Sequence, residues 1–594
     1  MTRLVLIYMT FFPNTNAAFL TASSLTRLCR GLFVAVFIAS GTLSCSVSEV
    51  ARNEAGGPIN EQGVNVPSVE AQASVLENTL VPGSSAARIQ SDVSWLAADA
   101  REGREAGSEG YLHAANYVAE RFRDLGLNPG NGEDYFQEVA LRIVSRDDNA
   151  AFMALTDVDG QTVTLTHKRD FLGGRSLQGE AFDVTAPLIF VGYGITAPSH
   201  NDYEGLDVEG KIVVVFAGAP DFLNSETSAH FSRTRTKSAI ARDKGAVGLI
   251  TISRNSIDPF KAWKRARNRP ERKRWTWVSP DGVAEDEALG MAPAFTLGPV
   301  AALSLFNGAP LSFEQVRDLA NTDPGKLKGF DLQGRAKLRG GGIIEDLMSP
   351  NVVGFLPGSD PALRDEVIVL SAHLDHVGVH ESRFGSEDLI HNGALDNAMG
   401  VSIMLDVARR MISEGAPRRS VIFLAVTAEE KGLIGSDYFA HYPTTNGKRI
   451  VANVNLDMPL VLYPFSDVIA FGAKRSSLGE TVRVAAQKTD VSIIDDPWPE
   501  LQLFTRSDHY NFVRQGIPSV FLFLGTGNGG QTVFDDFLAT HYHEPTDEVD
   551  LPIQWEHAAR FANLNYLIAS EVANAPEAPS WKKGDFFAET FSNP

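Results

Sequence analysis

The stretch Val367-Ile-Val-Leu-Ser-Ala-His373-Leu-Asp375-His376 closes an apolar run on imidazoles and a carboxylate, and three more acidic turns come before the chain reaches Asp457. They are Gly393-Ala-Leu-Asp396-Asn397-Ala-Met-Gly400, Val421-Ile-Phe-Leu-Ala-Val-Thr-Ala-Glu429-Glu430 and Val451-Ala-Asn-Val-Asn-Leu-Asp457. Unbroken Val, Ile, Leu and Phe predict strands buried on both faces, as in the parallel sheet of an α/β domain. In such sheets ligands gather beyond the carboxyl ends of the strands. His373, Glu429, Glu430 and Asp457 each stand just past a predicted strand, so one crevice is expected to hold them. Downstream, Ser519-Val-Phe-Leu-Phe-Leu-Gly525 adds a further buried strand, and Thr540-His541-Tyr542-His543-Glu544-Pro545-Thr546-Asp547 a further imidazole turn. The fold class is therefore α/β: a mixed, largely parallel sheet flanked by helices.

Beyond these turns, 594 residues exceed one core and predict about two to four domains. Hydrophobic residues at 44% and charged residues at 21% are ordinary for a globular chain. A net charge of −20 excludes a general nucleic-acid binder, which needs a basic footprint. The two cysteines, Cys29 and Cys45, lie ahead of every predicted strand, so a metal in the folded body must be held by His, Asp and Glu. That donor set suits catalytic zinc, with manganese or cobalt as substitutes.

Residues 1–45 read as a secretory signal: Arg27 and Arg30, an apolar run from Leu32 to Ala39, then small residues up to Cys45. Cys45 is a candidate for lipidation and a membrane tether, although Thr42 stands where a lipobox carries leucine; ordinary cleavage nearby is the alternative. Residues 46–84 have the composition of a flexible linker. Residues 85–181 are assigned to the first part of the main domain, with a helix capped by Ser108, carrying Leu112, Ala115, Val118, Ala119, Phe122 and Leu125 on one face and stopped by Gly126. Residues 182–310 change to strands and Gly-rich turns with no cluster of metal ligands, a separate β-rich module. That module carries a basic run, Lys261 to Arg274, interleaved with Trp263, Trp275 and Trp277; it reads as a solvated face or loop, or else as a lid over the crevice or a contact for acidic partners or lipid headgroups. Residues 311–575 form the metal-binding part, and 576–594 a tail.

Taken singly, each acidic turn has a bland reading: His-x-Asp as a structural pair, Glu-Glu as surface, Asp as a cap. Together, carboxylates converging on one crevice repel one another and are costly to desolvate unless cations join them. The region holds no Gly-x-Ser-x-Gly nucleophile motif. A pair of divalent metals resolves the repulsion.

The ordered set His373-Leu-Asp375, Gly393-Ala-Leu-Asp396-Asn397, Glu429-Glu430-Lys-Gly-Leu-Ile-Gly-Ser436, Asn455-Leu-Asp457-Met458, Ser507-Asp508-His509 and Tyr542-His543 resembles the co-catalytic zinc exopeptidases, the family of secreted bacterial aminopeptidases and glutamate carboxypeptidases. Residues 182–310 resemble a protease-associated domain, a common insertion in that family. The resemblance implies two Zn2+ ions bridged by Asp396, one completed by His373 and Asp457, the other by Glu430 and His543. It implies Glu429 as general base toward a metal-bridged hydroxide, Asp375 orienting His373, Tyr542 steadying the oxyanion, and a cis peptide bond between Asp396 and Asn397. Leu395, Met399 and Pro459 depart from the family pattern without touching a ligand. His509 rivals His543 on spacing, and His376, His391 and His541 are taken as non-ligands.

The expected function is an exported aminopeptidase acting on peptides. A dipeptidase or carboxypeptidase of the same fold, for which Arg506 is the candidate carboxylate-binding cation, is the alternative within the class. A receptor-like relative without catalysis is the alternative outside it.

Overall fold

The computed structural model describes residues 80–592 apart from 148–149, 198–199, 255–257 and 269–272. The signal, the linker and Cys45 fall almost wholly on residues 1–79, outside the described residues. Among the described residues no helix is long and apolar enough to cross a membrane.

Two sheets carry the fold. In the first, the strands Glu366–His373, Ser420–Val426, Arg449–Asn455 and Ser519–Leu524 run parallel at the centre. Antiparallel strands flank them, among them Gly342–Leu356, Phe136–Arg146 and Arg274–Trp277 on one side and Asp467–Phe471 on the other. Every residue of Ser420–Val426 is buried, as its unbroken apolar run demands. Each large aliphatic side chain removed from water there contributes roughly 1.5–3 kcal/mol.

Helices cover the faces. Helix Glu109–Leu125 begins where Ser108 Oγ accepts from Tyr111 N at 3.1 Å and ends at Gly126, whose φ of 81° is the left-handed value glycine adopts freely. Its Ala115, Val118, Ala119 and Phe122 are buried as expected, but Leu112 lies at the edge of that face and is 41% exposed. Helix Met399–Glu414 packs against the central strand and against helix Trp555–Asn574, which buries it nearly all round.

The second sheet orders its strands Thr162–Leu165, Phe152–Thr156, Phe330–Gly340, Phe182–Phe190, Ile212–Phe216, Gly248–Ile252, Phe295–Leu297 and Phe171–Gly173. Its inner strands are parallel and wholly buried at Ile212–Phe216 and Gly248–Ile252.

The span 182–310 expected for the inserted module is narrower than this sheet, whose strands run from Phe152 to Gly340. The outer strands pair Leu338 with both Met153 and Val184, yet their half-exposed, alternating sequences carry no signal that assigns them to one sheet rather than the other. Conversely Arg274–Trp277, within the expected module, pairs with Leu141–Val144 of the first sheet. The chain returns from the second sheet to the first at Gly340, where a Cβ would lie 2.0 Å from Gly174 O, so only glycine fits. The tail is also ordered: helix Phe586–Phe591 buries Phe586 and Phe587.

Candidate metal centre

The parallel strands of the first sheet end together, and the next residues bring the ionisable groups into one place. His373 closes its strand, Asp457 lies two residues past Asn455, and Glu429 and Glu430 come three and four residues after Val426. Asp396 sits in the turn ahead of helix Met399–Glu414, and His543 just after helix Gly530–Thr540.

His373 Nε2 is 3.1 Å from Asp457 Oδ1 and 3.3 Å from Asp396 Oδ1. On the other side of Asp396, His543 Nε2 is 3.4 Å from its Oδ2 and 3.0 Å from Glu430 Oε2. Asp396 thus faces two imidazole–carboxylate pairs with its two oxygens. The buried His543 Nε2 makes no hydrogen bond despite these approaches, so the imidazole and the two carboxylates converge on a point that a shared cation would fill. An all-oxygen and imidazole donor set of this kind fits two divalent ions of the zinc, manganese or cobalt type.

The backbone beneath is fixed by polar contacts. Asp547 accepts from Leu395 N at 2.9 Å and Asp396 N at 3.0 Å; burial pushes its carboxyl up to about 7. Asn397 donates to Leu456 O and accepts from Met458 N, tying the Asp396 turn to the Asp457 strand end. The Asp396-Asn397 peptide bond is cis. Gly393 has φ 59°, and a Cβ there would come within 2.2 Å of Asp396 O and 2.6 Å of His376 Cδ2. Asp457 is held by Ser507 Oγ at 2.6 Å, which in turn accepts from Asn455 Nδ2 at 2.6 Å.

Three residues have roles beyond the sequence reading. Asp375 does not orient His373 through its carboxylate: those oxygens accept from Glu429 N at 3.0 Å and Glu430 N at 3.3 Å, and the contact with His373 Nδ1 comes from the Asp375 carbonyl at 3.0 Å. With only one residue between them, the backbone oxygen reaches the ring and leaves the side chain to fix the Glu429–Glu430 turn. His376, taken as a non-ligand, is wholly buried with Nδ1 2.9 Å from Glu430 Oε1 and 3.9 Å from Asp396 Oδ2, so it belongs to the centre. Its place three residues past His373 is the one signal the sequence offers for it.

Nothing in the sequence singles out Arg104, because its surroundings there are polar and turn-like. It is fully buried and donates to the carbonyls of Leu374 at 2.9 Å, Asn392 at 2.6 Å and Gly393 at 3.0 Å, fastening the turns after His373 and before Asp396. Burial brings its guanidinium down to about 10, against the pull of Asp547 and Asp396.

The remaining histidines lie outside the contacts of the centre. His509 is buried between Phe504 and Phe521 with neither ring nitrogen hydrogen-bonded. His541 Nδ1 meets Thr546 O, and His391 stacks on His380.

A cavity of about 60 Å³ opens on the centre, lined by Glu429, Tyr542 and Arg506 together with the apolar Met458, Leu503, Phe521, Phe523, Phe534 and Leu538. Burial raises the Glu429 carboxyl well above its ordinary value; His373 opposes the shift while Asp457 and Glu430 reinforce it. Burial also raises the Tyr542 phenol, with Arg506 the main opposing charge, and its ring stacks on His543 at 3.9 Å. The Tyr542–Glu544 turn is clamped from outside: Glu544 accepts from Ser382 Oγ at 2.6 Å and from the Arg383 guanidinium, which also donates to Tyr542 O at 2.6 Å.

Comparison with known proteins bears on this geometry. Residues 351–569 match the model of peptidase family M28, and residues 184–272 that of the PA domain. A probable glutamate carboxypeptidase of Arabidopsis thaliana is 25% identical over 386 residues, 59% of this chain and 48% of its own length. A probable leucine aminopeptidase of Trichophyton verrucosum is 26% identical over 237 residues, 38% of this chain and 58% of its own. Aminopeptidase YwaD of Bacillus subtilis is 26% identical over 206 residues, 34% of this chain and 40% of its own. The chain thus spans about half the length of these curated relatives. A solved aminopeptidase from Aneurinibacillus sp. strain AM-1 superimposes with a TM-score of 0.43 at 19% identity, over 83% of this chain and 95% of that one.

Proposed function

Since the chain carries a peptidase of family M28 with an inserted PA domain, we propose that it is a metal-dependent exopeptidase, an aminopeptidase releasing N-terminal residues from peptides. The observation that carries the reading is Asp396 facing two imidazole–carboxylate pairs beside Glu429, whose carboxyl burial raises above its ordinary value. His373, Asp396 and Asp457 would hold one ion and Asp396, Glu430 and His543 the other, with His376 braced against Glu430. Two divalent ions, zinc by preference, supply a polarised scissile carbonyl and an acidified water when bound.

The chain's own groups do the rest. Glu429 takes the proton of the attacking water and returns it to the leaving amine, a task suited to a carboxyl whose affinity for protons is raised. Tyr542 points a phenol into the same cavity and donates to the oxygen that gains charge. The free amine of the substrate meets the carboxylates of Glu429 and Asp457. Its side chain enters the apolar wall of Phe521, Phe523, Phe534 and Leu538.

Hydrolysis of leucine p-nitroanilide tests this: activity is lost on chelation and restored by zinc. A preparation that binds two equivalents of zinc and cleaves no aminoacyl anilide refutes it. Arg506, on the wall of the same cavity, favours the second reading, a dipeptidase or carboxypeptidase, because a guanidinium there can receive a substrate carboxylate. Cleavage of an N-blocked dipeptide in preference to the anilide would select it. Export, possession of a signal peptide and lipidation at Cys45 are proposed from the leader sequence, and mass spectrometry of the mature N-terminus tests them.

A further inference from the structure

A second opening reaches the same centre from the other side. Glu430 and His543 line both the narrow cavity and a wider groove of about 370 Å³, whose further walls include Glu105, Lys273, Trp275, Val377, Arg383 and Lys431. His373, Asp457 and Glu429 line only the narrow side. A peptide bond held at the shared wall therefore has its first residue in the narrow apolar cavity and the rest of the chain in the groove. The sizes agree with that direction: about 60 Å³ for the residue removed, about 370 Å³ for the remainder of the peptide.

The groove has the chemistry of an extended peptide site. Trp275 is half-buried and offers an apolar face, with Lys431 Nζ 5.5 Å from its ring centre and 2.7 Å from Glu105 Oε1. Lysine donors and a carboxylate acceptor thus stand beside an aromatic surface, a match for backbone C=O, N–H and side chains in alternation. Three of these walls, Glu105, Lys273 and Trp275, are not part of the M28 match. Lys273 and Trp275 belong to the segment that leaves the inserted module to pair with the edge of the first sheet, Trp275 opposite Ile143. Lys273, at the end of the basic run, is exposed and pairs with Glu345 at 3.2 Å.

We propose that this groove is the subsite for the peptide segment after the scissile bond, and that the inserted module, through Trp275 and Lys273, makes the enzyme prefer peptides of three or more residues over single-residue derivatives. The proposal rests on the aminopeptidase reading.

The test compares kcat/KM for leucine p-nitroanilide, which has nothing beyond the anilide ring, with that for Leu-Ala-Ala-Ala. The readout is the ratio of tetrapeptide to anilide. In Trp275→Ala the ratio falls about tenfold, mainly through KM for the tetrapeptide; in Lys273→Glu, at an exposed site, it falls about threefold. A ratio unmoved in both variants overturns the groove while the anilide activity keeps the aminopeptidase reading intact. Wild-type protein that cleaves neither substrate sinks that reading, and the groove with it.

Discussion

The two sheets of this molecule are built alike and end differently. Both have an inner set of parallel strands, Glu366–His373, Ser420–Val426 and Arg449–Asn455 in the first and Phe182–Phe190, Ile212–Phe216 and Gly248–Ile252 in the second, with Ser420–Val426, Ile212–Phe216 and Gly248–Ile252 wholly buried. In the second, the carbonyls at the strand ends are answered from within the chain. Lys237, 1% exposed, donates to Tyr193 O, to Gly218 O at 2.7 Å and to Phe216 O at 3.0 Å. In the first, the strand ends present His373, Glu429, Glu430 and Asp457, and the buried Arg104 beside them is committed to backbone carbonyls. One sheet answers its strand-end carbonyls with a side chain of its own, whereas the other gathers carboxylates and imidazoles there, the donors that a divalent cation would take.

The contrast breaks most visibly if ions are withdrawn. Chelation is expected to abolish anilide hydrolysis and to lower the melting temperature, because a ligand at a thousand times its Kd stabilises by about 4 kcal/mol. Calorimetry with and without chelator measures this; an unchanged melting temperature would mean that the first sheet, too, is self-sufficient. The next largest effect is expected in Glu429→Gln. Loss of the proposed general base should lower kcat by roughly 10²–10⁴-fold, with the metal content by elemental analysis unchanged from the wild type. Near-normal kcat in that variant would remove Glu429 from the chemistry.

Much of this contrast is legible in the sequence. Unbroken apolar runs ending in His373, Glu430 and Asp457 announce both the buried strands and the crevice, since burial and ligation dictate residue type directly. The illegible part depends on tertiary placement. His376 reads like any histidine until the loop folds its Nδ1 onto Glu430. Arg104 lies in a polar turn whose carbonyl partners, Leu374, Asn392 and Gly393, are remote in sequence. That the second sheet extends beyond 182–310 is not legible either, because strands such as Phe330–Gly340 alternate buried and exposed residues, a pattern that fits the margin of either sheet.

Lys237→Met probes the self-sufficient side of the same contrast. The substitution keeps the aliphatic stem and strands two buried carbonyls and a partly buried third, each buried one costing roughly 1–3 kcal/mol when left unpaired, so a loss on the order of 4 kcal/mol is expected. Because the two sheets need not unfold as one step, urea unfolding is best monitored by a probe in each. The loss should register in the second sheet while the metal content stays that of the wild type. Loss of zinc with an unchanged unfolding midpoint would show that Lys237 serves the centre rather than its own strand ends.

A weaker effect concerns the joint between the sheets. Glu287 of the inserted segment receives Arg235 Nε at 3.1 Å and the Arg514 guanidinium, and Arg514 also reaches Asp437 Oδ1 at 3.2 Å beside Trp277 Nε1. Burial alone would raise the Glu287 carboxyl, but Arg235 and Arg514 outweigh it and hold it down to about 2 against an ordinary 4.5. A folded-state value below the unfolded one means that the unfolded chain takes up the proton first. The contribution is therefore complete above pH 4.5 and disappears as the pH falls through about 2. Over that interval it amounts to about 3 kcal/mol. Glu287→Gln should lower stability by about that much at pH 7 and by progressively less in acid, measured as denaturation midpoints at pH 7, 4.5 and 3. A difference that stays constant across those values would mean that shape, rather than charge, fastens the module to the sheet that bears the candidate metal centre.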